Sequence, residues 1–300
     1  MKFVLTNFRY YLSFSQIQLI FKRLKNILDV SAKETKSHFG LLQYMTNRYF
    51  KQLLLAEIGE EGQKRLNGSS AVIAGCGGLG TVIANNLVRS GVGRVIIVDR
   101  DFIELDNLHR QILFDEDDIR KGLPKAVAAA EKLRRIDSDI TIEPVVADLT
   151  AGNIEQIIKG ADIVLDGTDN FETRFLINEA CVKLGIPWIY AGVVATYGMV
   201  FSIIPGETPC LQCFIRELPG PDESPTCDTV GVLGTAVNII ASVEVTEGLK
   251  ILMGRQDSLI RKLIYIDAWQ GTWSAYEIKK DDKRCPVCDE RQFAFLEKGK

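Results

Sequence analysis

Residues 70–80 read SAVIAGCGGLG, and the fold turns on this stretch. Ala71 to Gly75 is a short apolar run of the kind that forms a buried strand. Glycines follow, and then Leu79–Ser90 has helical patterning. Gly75, Gly77 and Gly80 fit G-x-G-x-x-G between strand and helix, with Gly78 inside the loop. Such glycines permit a tight turn and let phosphate oxygens approach backbone N–H groups at a helix N-terminus. About 20 residues past Gly80, the β-branched run RVIIVD (94–99) ends on Asp99, placed to accept hydrogen bonds from ribose hydroxyls. A glycine-rich turn with no ligand is the plain alternative, but strand before and helix after favour a nucleotide.

Working outward, Pro124–Ile136 reads as a helix with proline near its first turn. Ile140–Ala147 reads as a strand, Asn153–Lys159 as a short helix, Asp162–Thr168 as a strand and Phe171–Leu184 as a helix. Strands alternating with helices imply crossovers and a parallel sheet covered on both faces. The uncharged run between Lys183 and Glu207 mimics a membrane span. Pro187, Gly192, Gly198 and Pro205 punctuate it, so it is read as two buried strands, Ile186–Val194 and Tyr197–Ile204. The expected architecture is α/β: a Rossmann-like, mostly parallel sheet with helices on both faces, extended by antiparallel strands.

The 300 residues, 46% hydrophobic and 25% charged, exclude disordered, collagen-like and coiled-coil classes. A net charge of −3 offers no case for nucleic-acid binding. His38 and His109 are the only histidines, which rules out a histidine-rich metal site. Seven cysteines are too few for a disulfide scaffold, and the expected location is the cytoplasm. Ile17, Ile20, Phe21 and Leu24 fall at helical spacing beside Lys22, Arg23 and Lys25. They are read as an appended helix rather than a membrane anchor or signal peptide. Residues 1–43 are taken as this extension, 44–290 as the body and 291–300 as a tail.

The segments after Asp99 separate ATP from NAD. Asp106-Asn107-Leu108-His109-Arg110-Gln111 follows the ribose strand, and Gly122-Leu123-Pro124-Lys125-Ala126 opens the next helix. Asp166-Gly167-Thr168-Asp169-Asn170 ends a strand at the same rim. A dinucleotide's pyrophosphate needs little beyond glycine N–H groups. Two cations, Arg110 and Lys125, with Asp169 able to hold magnesium, better match a triphosphate undergoing displacement.

With these segments in place the chain resembles the MoeB/ThiF/HesA adenylyltransferases, relatives of ubiquitin-activating enzymes, from about Tyr44 to about Glu290. Asn47-Arg48-Tyr49-Phe50-Lys51-Gln52 resembles the family's R-Y-x-R-Q opening. GCGGLG, NLHRQ, the P-K-A helix start and D-x-T-D-N with Thr173-Arg174 follow. Lys51 stands where the family has its second arginine, a cation that reaches across a homodimer to the partner's ATP. Gly167 stands where the family often has cysteine, a change read as harmless.

Cys210-Leu211-Gln212-Cys213 and Cys285-Pro286-Val287-Cys288 are two C-x-x-C pairs. Four thiolates with no open position describe structural zinc, here stapling the tail to an excursion after the first pair. Cys76 and Cys181 read as packing residues. Cys227, in a proline-rich polar loop before the apolar helix candidate Val232–Leu252, matches by resemblance the cysteine that some relatives use in thioester or persulfide chemistry.

The resemblance implies ATP-dependent adenylation of the C-terminal carboxylate of a small ubiquitin-like sulfur carrier ending in Gly-Gly. It assigns backbone donors to Gly75, Gly77, Gly78 and Gly80, and ribose to Asp99. Asn107, Arg110, Gln111 and Lys125 take the triphosphate, Asp169 and Asn170 the Mg2+ side, and Lys51 the partner's ATP. The chain ends soon after Cys288, so the sulfur donor is expected to be a separate protein. Activation of a peptide or small-molecule carboxylate, a Rossmann oxidoreductase and a non-catalytic zinc scaffold stay open as alternatives.

Overall fold

The computed structural model describes residues 47–220, 226–279 and 284–298. The helix expected in residues 1–43, and the proline-rich segment 221–225, lie outside them. The chain divides into two units, Met1–Glu60 and Glu61–Lys300. Its helices are α1 (Phe50–Leu53), α2 (Gly59–Asn67), α3 (Gly78–Arg89), α4 (Glu116–Lys121), α5 (Lys125–Ile136), α6 (Ile154–Ile158), α7 (Phe171–Leu184), α8 (Cys227–Val230), α9 (Gly234–Leu252) and α10 (Ala294–Glu297). In the first unit, α1 carries Lys51, whose ammonium lies 5.2 Å from the centroid of the Phe50 ring.

The strands of the second unit are β1 (Ser70–Ala74), β2 (Arg94–Val98), β3 (Thr141–Val145), β4 (Ile163–Asp166), β5 (Trp188–Val194), β6 (Tyr197–Ile203), β7 (Leu263–Asp267) and β8 (Thr272–Tyr276). They form one eight-stranded sheet in the order β3-β2-β1-β4-β5-β6-β7-β8. Pairing is parallel from β3 through β5 and antiparallel from β5 through β8. The run between Lys183 and Glu207 is the β5–β6 hairpin, as its turn residues imply. Among the described residues no helix is long and apolar enough to cross a membrane. The edge strand β8 carries little sequence signal, because it is mostly exposed, whereas β7 alternates buried and half-buried residues.

Both faces of the inner parallel strands β1, β2 and β4 are buried, so these strands are nearly all apolar. Val72, Ala74, Val164, Trp188 and Tyr190 face a core shared with Ile154, Ile158, Phe175 and Ala180 of α6 and α7. The alternate residues Ile163, Leu165 and Ile189 lie against Gly248 of α9, on the opposite face. The long helix α9 also packs on α3, which in turn meets α5. The register then fixes the site. Ala74 pairs with Val98 on one side and Asp166 on the other. The residues that follow, Gly75, Asp99 and Gly167, therefore leave the sheet level with one another, where strand order reverses between β1 and β4. That is the crevice where open α/β sheets bind ligands.

Candidate nucleotide site and thiolate cluster

The loop from β1 to α3 is shaped by close backbone packing. Gly75 has φ +93°, a left-handed conformation that only glycine takes without strain. A β-carbon on Gly80 would stand 2.0 Å from the Gly75 carbonyl oxygen, and one on Gly167 would stand 2.5 Å from it. Glycine fits closely at position 167: the turn after β4 touches the glycine loop, and a side chain there would force the two apart. Gly77, by contrast, is not required by packing. The nearest atom to a β-carbon there is Gln111 Nε2, at 4.0 Å, leaving room above the loop for a ligand's backbone contacts. Gly78 faces Val237 of α9 and the side chain of Arg110.

Asp99 braces this loop. Its carboxylate accepts the Cys76 N–H at 2.7 Å and the Asp101 N–H at 2.7 Å. Burial raises its pKa, while the two amide bonds and the nearby Lys125 charge oppose the rise. Lys125, at the first turn of α5, is buried, with its ammonium 3.2 Å from Asp101 Oδ2. The Lys125 N–H also donates to the Asp101 carbonyl at 2.7 Å. Sequence reasoning passed over Asp101, whose signal was a second acid two residues after Asp99.

The NLHRQ segment supplies the facing wall. Asn107 is buried and spends its amide on the turn, accepting from Glu104 N at 3.2 Å and donating to Asp106 Oδ1 at 2.9 Å. Arg110 Nη1 donates to the Asp106 carbonyl at 2.7 Å and lies 2.8 Å from His109 Nε2. Gln111 is 2% exposed, and its Oε1 has no hydrogen-bond partner among the described residues. A buried amide oxygen without a donor, beside the open Gly77, fits a site that is completed by a polar ligand.

Beyond β4, Asp169 is exposed, its Oδ1 accepting from Asn170 Nδ2 at 3.3 Å. Asn170 caps α7 through a bond from Thr173 N to its Oδ1, 2.9 Å. Behind this turn lies a network that sequence reasoning did not single out. Asp166 is fully buried and accepts from Arg174 Nε at 2.9 Å and from the Thr168 hydroxyl at 2.6 Å. Its own N–H donates to Glu244 Oε1 on α9 at 2.7 Å. Burial first, and then the charge of Asp166, hold Glu244 well above the usual carboxylate range. The available signal was an acid at position 244 inside an otherwise apolar helical run.

The structure brings both C-x-x-C pairs together. Cys210 and Cys285 sulfurs are 3.6 Å apart, Cys213 and Cys288 3.5 Å, and Cys210 and Cys213 3.8 Å. All four ligand atoms lie within 4.8 Å of one another. A tetrahedral zinc with Zn–S bonds of about 2.3 Å requires sulfurs about 3.8 Å apart, so the donor set fits that ion in type and spacing. Buried Asn178 of α7 supports the first pair, accepting from Leu211 N at 3.0 Å. Glu179 accepts from Phe295 N and Leu296 N, which docks α10 beside the second pair. Cys227 stands apart from these four, half-buried, with Sγ 3.6 Å from the Val193 carbonyl at the end of β5.

A doubly wound α/β sheet with a glycine loop at its switch point and a four-cysteine cluster defines the class of protein. The profile of the ThiF family matches residues 49–287, and this chain belongs to that family, as one of its adenylyltransferases. It is 46% identical over 84% of its length to the sulfur carrier protein ThiS adenylyltransferase of Bacillus subtilis, covering 74% of that protein. It is 36% identical over 81% of its length to the SAMP-activating enzyme E1 of Haloferax volcanii, covering 89% of it. Among solved structures, it resembles the microcin C7 biosynthetic enzyme MccB in complex with N-formylated MccA. There the TM-score is 0.69 at 26% identity, over 82% of this chain and 76% of that one.

Proposed function

We propose that this protein uses ATP to adenylate the C-terminal carboxylate of a small ubiquitin-like sulfur-carrier protein ending in Gly-Gly, readying it for sulfur transfer. The observation that carries the reading is the backbone contact of Gly75 with Gly80 and Gly167. It couples a phosphate-type loop to the turn bearing Asp169. One of the chain's relatives is named a sulfur carrier protein ThiS adenylyltransferase and another a SAMP-activating enzyme E1, which supports the reading.

A carboxylate is a poor electrophile, and its esterification to AMP supplies a good leaving group. In the proposed reaction a carboxylate oxygen attacks the α-phosphorus, a new O–P bond forms, and the bond to pyrophosphate breaks. The nucleophile is already ionised at neutral pH, so no general base is required. Gly75, Gly77, Gly78 and Gly80 present backbone N–H groups, and Asp99 keeps lone pairs for ribose hydroxyls. Lys125 and Arg110 neutralise the triphosphate, and Asn107 and Gln111 shape its wall. Asp169, with Asn170 fixing the helix start behind it, offers a hard oxygen suited to Mg2+, which would offset phosphate charge when bound. Zn2+ would take Cys210, Cys213, Cys285 and Cys288, a structural role distant in kind from the chemistry. In a homodimer Lys51 would reach the partner's ATP. Sulfur would come from a separate donor, directly or through Cys227. A reducing, cytoplasmic setting would keep the four clustered cysteines available to the metal as thiolates.

The test is ATP–pyrophosphate exchange on purified protein with a panel of Gly-Gly-ending carriers, using Asp169→Ala as control. Exchange that appears with one carrier and disappears in the variant supports the reading. The likeness to MccB in complex with MccA favours a second reading, a peptide carboxylate as substrate. Exchange with a peptide and with none of the carriers would select it.

A further inference from the structure

Arg174 lies one turn into α7, on its buried side, and its guanidinium ties the turn that precedes Asp169 to the ends of β4 and β5. Nε donates to Asp166 Oδ2 at 2.9 Å. Nη2 donates to the Thr168 carbonyl at 2.7 Å and to the Ala191 carbonyl of β5 at 3.1 Å. The rings of Phe171 and Tyr190 flank it, with centroids 5.2 and 5.5 Å away. Asp166 completes the hold on Thr168 from the other side, accepting its N–H at 2.9 Å and its hydroxyl at 2.6 Å. The N–H, the hydroxyl and the carbonyl of Thr168 are all fixed. The plane of the peptide leading into Asp169 is thereby fixed as well.

We propose that Asp166 and Arg174 form a buried clamp that positions Asp169, with Arg174 as a positioning residue that never touches substrate. The inference rests on the proposed metal-side role of Asp169. A carboxylate that meets a cation bound mainly through phosphates gains from a fixed approach, because magnesium demands near-octahedral geometry. The planar guanidinium meets its three acceptors from fixed, coplanar directions. Lysine would keep the charge opposite Asp166 but lose the fork. The Gly167–Gly75 contact then makes the clamp a shared support for both turns.

The experiment is a Mn2+ titration followed by electron paramagnetic resonance, on full-length protein with a non-hydrolysable ATP analogue. Wild type, Arg174→Lys and Asp169→Ala are compared. Loss of such outer support weakens metal binding by about tenfold or more, and this is the shift expected for Arg174→Lys despite its retained charge. Arg174→Lys binding Mn2+ like wild type while Asp169→Ala binds it weakly would overturn the clamp alone. Asp169→Ala binding like wild type would overturn the role of Asp169 and the clamp with it. Should Arg174→Lys fail to fold, Thr168→Val removes the hydroxyl bond to Asp166 while keeping the backbone N–H bond and the ion pair. The clamp requires weaker Mn2+ binding there too, and unchanged binding contradicts it.

Discussion

Gly167 and Gly75 meet backbone to backbone, with no space for a β-carbon on Gly167, which would lie 2.5 Å from the Gly75 carbonyl oxygen. The turn that carries Asp169 and the loop that would carry phosphate are thus one rigid assembly, supported by Asp99 on one side and Asp166 on the other.

Gly167→Ala should therefore cost stability and nucleotide binding together. Forced overpacking of this kind costs about 1–3 kcal/mol, and urea unfolding would measure it. ATP affinity, read by calorimetry, should fall in the same variant. Stability at the wild-type level would mean that the two turns separate freely.

Glu244 gives a pH signature. Its folded pKa is raised by burial and by the neighbouring Asp166, so it holds its proton to higher pH in the folded protein than in the unfolded chain. Above about pH 4.3 the unfolded chain binds fewer protons at this position than the folded one. Its contribution to stability therefore falls as pH rises from there until the folded value is passed. Glu244→Gln removes that loss. Its melting temperature should gain on wild type between about pH 5 and 8, and the gap should close near pH 4. A gap independent of pH would show that Glu244 is charged in the fold.

The thiolate cluster predicts a zinc content of one equivalent per chain, by elemental analysis. Structural zinc contributes on the order of 10 kcal/mol in small peptides. Chelation, or Cys213→Ser, should lower the melting temperature by more than about 5 °C. Because Cys210, Cys213 and Cys285 belong to the same core as Phe175 and Trp188, α7 should lose amide-exchange protection in the stripped protein. Full protection after complete metal removal would show that packing alone holds the staple.

Lys125 and Asp101 separate charge from pairing. Lys125→Met should lower the exchange rate by about 10²-fold, the usual cost of losing one preorganised donor at a site of developing charge. Asp101→Asn leaves the cation in place without its 3.2 Å partner, so its effect should be smaller. Equal losses would place the importance in the ion pair rather than in the cation.

The inner parallel strands of the sheet were readable because both faces are buried there, giving compact β-branched runs such as RVIIVD, each followed by a helix. Its ligand edge was readable too, since glycine spacing and strand-end acids are local signals. The edge strand β8 was not, because an exposed edge strand imposes little pattern on its sequence. Asp166 and Arg174 stood inside quoted motifs, but their pairing with each other, and Glu244 beside them, escaped notice. Their meaning arises from β4, α7 and α9 converging, and no spacing along the chain encodes that meeting. The same is true of Gly167, whose small size matters only because the Gly75 carbonyl occupies the space beside it.

The most direct test of the central claim is intact-mass analysis of a Gly-Gly-ending carrier incubated with the enzyme, ATP and Mg2+. The account predicts an adenylyl adduct on the carrier. It should be absent when the last glycine is deleted, and absent with Asp169→Ala. An adduct that persists without the terminal glycine, or no adduct on any carrier while ATP binds, would contradict it.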